Sequence, residues 1–178
     1  MDQLRILGIA GSLRRASYNR GLVRAAVDMA PTGIVIDVFE LGSIPLFNQD
    51  VEDAGEPDPV GALKGAIARA DALLVATPEY NHGVPGVLKN AIDWASRPRM
   101  TSPLRDKPVA VMGASPGRGS TARAQAQFRD AFVFTGACVM PLPELLVGGA
   151  ASHFDTEGNV TDAELRASLA ELIKALAQ

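Results

Sequence analysis

With 178 residues, 47% of them hydrophobic and 21% charged, the chain can bury a core without covalent staples and is too apolar for disorder. Its net charge of −3 excludes the basic footprint of a nucleic-acid binder and also an acidic tail. The single cysteine, Cys138, excludes an internal disulfide and fits a reducing compartment.

The opening MDQLRILGIAGS lacks a cationic start followed by a long apolar segment, and no run approaches the length of a membrane span. A soluble, cytoplasmic protein without membrane insertion is expected. Leu4–Ala10 is a short, nearly continuous apolar run, as in strands buried on both faces of a parallel sheet. The loop GSLRRASYN follows, and then a helix with the stripe Leu22, Val23, Ala26, Met29 and Ala30. Ile34–Phe39 reads as a strand nearer an edge, because Asp37 interrupts it. Asp50–Pro59, rich in acidic residues, Pro and Gly, reads as a loop and not a domain boundary.

Val60, Leu63 and Ile67 mark a second helix, and Ala72–Thr77 a second fully apolar strand. The loop TPEYNHGVPG leads into a helix over Pro85–Ser96, whose Val84, Val87, Leu88, Ala91, Ile92 and Ala95 follow the helical template. Trp94 falls at the edge of that stripe. It is read either as an interface anchor or as packed beneath its own loop, Arg97–Pro103. Val109–Ala114 is the next buried strand, followed by the loop ASPGRGST and a helix marked by Phe128, Ala131, Phe132 and Thr135. Cys138–Met140 is read as the last strand, with Cys138 in the core. The final helix, with Leu165, Leu169, Leu172, Ile173 and Leu176, opens on Thr161–Glu164 as a capping box. Five strands alternating with five helices imply one α/β domain over residues 1–178, a doubly wound parallel sheet with helices on both faces.

Ligands of such sheets bind beyond the carboxyl ends of the strands. Three loops leave those ends here. In the first, backbone amides lead into a helix N-terminus that favours an anion. Ser12, Ser17 and Asn19 add neutral donors, and Arg14 adds a planar fork suited to phosphate. The loop completes neither G-x-G-x-x-G nor a P-loop, and a surface turn capped by Ser17 explains the same residues. In the second loop, prolines stiffen the chain around Glu79, Tyr80 and Asn81, which could hold the edge of a flat heterocycle. A well-made turn in which Tyr80 packs is the alternative. His82 and His153 form no metal pattern. The third loop has glycines that permit close backbone approach, and alone it is a plain strand-to-helix turn. Three such loops on one sheet edge favour a ligand site.

The stretches GSLRRASYNRGLVRA, TPEYNHGVPGVLKNAIDWASRP, GASPGRGSTARAQ and LLVGGAASHFDTEGNVTD resemble the NADPH-dependent FMN reductase family, nearest to its quinone- and chromate-reducing branch. The resemblance runs from Leu4 to the last helix. It implies a flavodoxin-like fold with five-strand order 2-1-3-4-5, holding FMN. Matched residue by residue, Ser12, Arg14, Ser17 and Asn19 would hold the phosphate. Pro78, Glu79, Tyr80 and Asn81 would line the isoalloxazine, partly through backbone groups, and Ser115 and Gly117 would close the site. The chain departs from the pattern at Gly83, where many relatives have serine, and at Ser120-Thr121, where the branch often has two glycines.

The resemblance further implies that NADPH (or NADH) reduces the flavin, and that a quinone, chromate, a ferric complex, an azo dye or free flavin is then reduced by a ping-pong scheme. No side chain is assigned as an essential acid or base. A flavodoxin-type electron carrier is the alternative; the modest charge and the form of the first loop count against it. A homodimer or homotetramer with the flavin at a subunit interface is expected, because one small domain has no second lobe to cover the ring.

Overall fold

A computed structural model describes residues 3–178. The elements run β1 (Leu4–Ala10), α1 (Tyr18–Asp28), β2 (Ile34–Phe39), α2 (Gln49–Ala54), α3 (Asp58–Arg69), β3 (Ala72–Ala76), α4 (Gly86–Ala95), β4 (Pro108–Ala114), α5 (Ala122–Thr135), β5 (Cys138–Val139), β6 (Leu145–Val147) and α6 (Ala163–Leu176), with three short 3-10 turns between. The sheet is parallel throughout, in the order β2-β1-β3-β4-β5, and β6 pairs with β4 beyond the end of β5. This is the flavodoxin-like α/β arrangement expected from the sequence.

Alternation along the central strands explains the layers. Ile6, Leu74 and Met112 face α1 and α6, in a core with Leu22, Leu169 and Ile173. Their neighbours Leu7, Leu73, Val75 and Val111 face α3, α4 and α5, in a core with Leu63, Leu88 and Phe128. Both faces of β3 are buried, so its sequence is apolar at every position. β2 lies at the edge, as Asp37 indicated; there Asp37 pairs with Arg5 at 3.0 Å, both side chains exposed.

Several expectations are corrected. The stretch read as a loop at Asp50–Pro59 contains most of α2 and the start of α3. α2 buries no residue and so shows no apolar stripe. Asn48 caps it by accepting from the Asp50 N–H, and Arg97 pins it through Glu52 at 2.6 Å and Gln49 at 2.8 Å. The last strand is split: β5 has two residues, and the sheet resumes at β6. Cys138 is exposed and not in the core, because β5 lies at the outer edge. The cap of α6 is Asp162, one residue later than the expected capping box; its carboxylate accepts from the Leu165 N–H at 2.8 Å. Trp94 is fully buried and anchors no interface. Its indole N–H donates to the Pro45 carbonyl at 2.9 Å, and its ring meets Phe47 edge-on, so residues 45–47 pack against it. Among the described residues, no helix is long and apolar enough to cross a membrane.

Candidate functional site

The loops after β1, β3 and β4 converge on a cleft of about 390 Å³, within the size range of small-molecule sites. A groove of similar size, about 350 Å³, lies beside β2 and α3, away from these loops. The cleft at the strand ends is the candidate site, since the N-terminus of α1 opens into it.

The first loop begins where the Gly11 N–H bonds to the Ala76 carbonyl, and it closes on Ser17 as the N-cap of α1. Ser17 Oγ accepts from the Arg20 N–H at 3.4 Å. Among the described residues, the N–H groups of Tyr18 and Asn19 have no acceptor within the chain. They are the donors that a helix start presents to an anion. Ser12 and Ser17 lie buried in the floor. Arg14 is exposed at the rim and pairs with no carboxylate among the described residues; its guanidinium lies 5.3 Å from the centre of the Tyr18 ring.

Asn19 is brought to the same place but uses its side chain otherwise. Its amide donates to the Ala114 carbonyl and accepts from the Ala114 N–H, both at 2.9 Å. It ties α1 to the end of β4, and only its backbone N–H is left for a ligand.

The second loop is held by a tight turn. Tyr80 and Gly83 exchange backbone hydrogen bonds at 3.1 and 3.0 Å, with φ of 51° at Asn81 and 61° at His82. Positive φ at both central positions is the signature of a type I′ turn, and asparagine tolerates it well. The Tyr80 hydroxyl reaches Ser12 Oγ at 3.3 Å, joining the first two loops across the cleft. Pro78 is buried in the wall, whereas Asn81 and His82 are exposed.

Glu79 has a role that sequence did not reveal. Its carboxylate accepts from the Arg123 and Ala124 N–H groups at 2.9 and 3.1 Å, and the Arg123 guanidinium stands 3.7 Å away. Thr121, the N-cap of α5, makes no side-chain cap bond, so Glu79 caps that helix from another loop. Gln127, on α5, completes the tie: it accepts from the Val84 N–H and donates to the His82 carbonyl, each at 3.2 Å. The loop is thus fixed at both ends of its turn, and no motif pointed to Gln127.

In the third loop, Ser115 and Pro116 line the cleft, and Ser115 Oγ accepts from the Gly117 N–H at 3.2 Å. Gly117 itself is exposed beside the cleft. At the base of the loop, a Cβ on Gly113 would lie 2.3 Å from both the Thr77 carbonyl and Thr121 Oγ1, so only glycine lets β4 pass this close.

Residues 4–152 match the family described as NADPH-dependent FMN reductase. The chain is 43% identical over 175 residues to an NAD(P)H-dependent FMN reductase of Pseudomonas aeruginosa, covering 98% of this chain and 94% of that protein. It is 38% identical over 164 residues to a quinone reductase of Escherichia coli, covering 90% and 87%. Among solved structures, the flavoenzyme NAD(P)H:(acceptor) oxidoreductase FerB of Paracoccus denitrificans superposes with a TM-score of 0.87 at 35% identity, over 97% of this chain and 94% of that one. A family match over most of the sequence, relatives at 43% and 38% identity and a fold shared with a solved flavoenzyme have one meaning: the chain belongs to the NADPH-dependent FMN reductase family, oxidoreductases that work with FMN and a reduced nicotinamide nucleotide.

Proposed function

We propose that the cleft holds FMN with its phosphate on the first loop, and that the chain uses NAD(P)H to reduce a quinone. The observation that carries this reading is the donor set at the start of α1. Two N–H groups and one arginine left without a partner among the described residues, with two buried serine hydroxyls, suit a compact dianion. The Pro78–Asn81 backbone and the Tyr80 ring line the flavin, and Ser115 and Gly117 close it from the third loop. Asn19 contributes its backbone N–H, while its side chain keeps the first and third loops in register.

When bound, FMN supplies two-electron chemistry, taking a hydride from the nicotinamide and passing the electrons to an acceptor. The protein binds, orients and partly desolvates. Glu79, the carboxylate in the cleft wall, is committed to capping α5 and is unsuited to moving protons. No side chain is assigned as an essential acid or base. Quinone is the favoured acceptor because relatives from Pseudomonas putida and Escherichia coli are quinone reductases; chromate, ferric complexes, azo dyes and free flavin belong in the same screen. Donor and acceptor use one site in turn, since the sequence carries no separate nucleotide fingerprint.

Titration of the flavin-free chain with FMN, FAD and riboflavin tests the assignment. FMN is expected to bind tightest, and equal affinity for riboflavin would sink it. Initial rates against NADPH at several fixed quinone concentrations are expected to give parallel double-reciprocal lines; intersecting lines would replace the alternating scheme with a ternary complex.

A further inference from the structure

The segment between β6 and α6 ends in a reverse turn, Asp155–Val160, that the reading of the cleft leaves without a task. The Asp155 carboxylate organises the turn, accepting from the Glu157 N–H at 2.9 Å, the Asn159 N–H at 2.8 Å and the Asn159 side chain at 3.0 Å. The Asn159 backbone bond first, and the Asn159 side chain next, hold this carboxyl below its ordinary pKa. Phe154 and Val160 close the base as a bridge.

The turn packs against the anion loop at backbone distance. Gly158 has φ of 77°, and a Cβ there would lie 2.8 Å from the Ala16 carbonyl oxygen and 3.2 Å from that of Ser17. A Cβ on Gly21, in the first turns of α1, would lie 1.8 Å from the Gly158 carbonyl oxygen. Two glycines therefore face each other so that one backbone can rest in the other. Arg24 closes the contact from α1, donating to the carbonyls of Glu157 and Gly158 at 3.3 and 3.1 Å and to Asn159 Oδ1 at 3.0 Å. A second line of contact runs through rings: Phe154 lies 4.9 Å from Tyr18, and Tyr18 carries the Arg14 guanidinium.

We propose that the Asp155–Val160 turn is the positioning element of the phosphate loop, fixing the backbone of Ala16–Ser17 and, through Tyr18, the place of Arg14. This rests on the reading of that loop as the FMN phosphate site. The physical reason is that a loop of open N–H groups binds a dianion well only if it is ordered beforehand; otherwise ligand binding must order it. Residues 11–17 contain one internal backbone bond, from Ser17 N–H to the Arg14 carbonyl, and so depend on outside support. None of the turn's residues lines the cleft.

The test is the preference for FMN over riboflavin, which isolates the phosphate. The full chain and its Gly158→Ala and Arg24→Gln variants are stripped of flavin and titrated with each, and their thermal unfolding is followed without flavin. The Gly158→Ala change is expected to weaken FMN about tenfold, the equivalent of one charge-assisted hydrogen bond, while riboflavin changes less than about twofold. Arg24→Gln, on the outer side of α1, is expected to shift the preference in the same direction by a smaller factor. Equal losses for both flavins in Arg24→Gln, or an unchanged preference in a variant that folds, would overturn the positioning role. A wild-type chain with no preference for FMN would instead overturn the phosphate assignment beneath it.

Discussion

Ser120 sits at φ of 51°, in the left-handed region that glycine occupies at no steric cost. Its hydroxyl is buried and has no partner among the described residues. Both features disfavour serine, the backbone term by about 1–2 kcal/mol and the unbonded hydroxyl by a similar amount. Glycine would give part of this back as flexibility of the unfolded chain. Ser120→Gly is therefore expected to stabilise the protein by about 1 kcal/mol, or roughly 2–4 °C in Tm for a chain of this size. Thermal unfolding checks it, and a lowered Tm would assign the hydroxyl a bonding role. Gly83 differs: a Cβ there meets only ordinary contacts at 3.6 Å, with Gln127 Oε1 and the Tyr80 carbonyl, so a Cβ would fit without a shift.

At the scale of elements, the second loop and α5 behave as one unit, because Glu79 and Gln127 bond across them. Removing the Glu79 carboxylate leaves two N–H groups at the start of α5 without an acceptor and removes a negative charge from the positive end of the helix. Glu79→Ala is expected to cost about 1–2 kcal/mol of stability, the scale of a lost N-cap. Glu79→Gln keeps an acceptor and should lose less. Denaturant unfolding resolves the difference as a shift in midpoint. Equal losses in both variants would mean that charge, not hydrogen bonding, holds the pair.

For the whole molecule, the cleft lies open beyond the carboxyl ends of the sheet. Tyr80 is 52% exposed at the cleft and Leu13, next to Ser12, is 48% exposed. Apolar surface beside an open cofactor cleft suits a symmetric contact that covers two sites at once, so we propose a dimer at least, with a tetramer as a dimer of dimers. Trp94 no longer supports this reading, since it is spent on Pro45 and Phe47. Light scattering at micromolar concentration, with and without FMN, is expected to return at least twice the chain mass. A monomer with full NADPH-driven quinone reduction would refute the assembly.

The sequence by itself determined the three central strands and the place of the cleft beyond their ends. Near-continuous apolar runs at Leu4–Ala10, Ala72–Thr77 and Val109–Ala114 mark strands buried on both faces, and the residues that follow each run carry the donors. Ser17 was readable as an N-cap because capping is local, acting within three residues. Tertiary structure alone decided which polar groups remain for a ligand. Asn19 gives its amide to Ala114, Glu79 its carboxylate to Arg123 and Ala124, and Trp94 its N–H to Pro45. α2 escaped notice because it buries nothing, so no periodic stripe marks it. The contact of Gly158 with Ala16 was equally hidden. Periodicity and local preference report how each residue sits in its own element, whereas these bonds join residues dozens of positions apart, and only the folded backbone brings their donors and acceptors within 3 Å or so of each other.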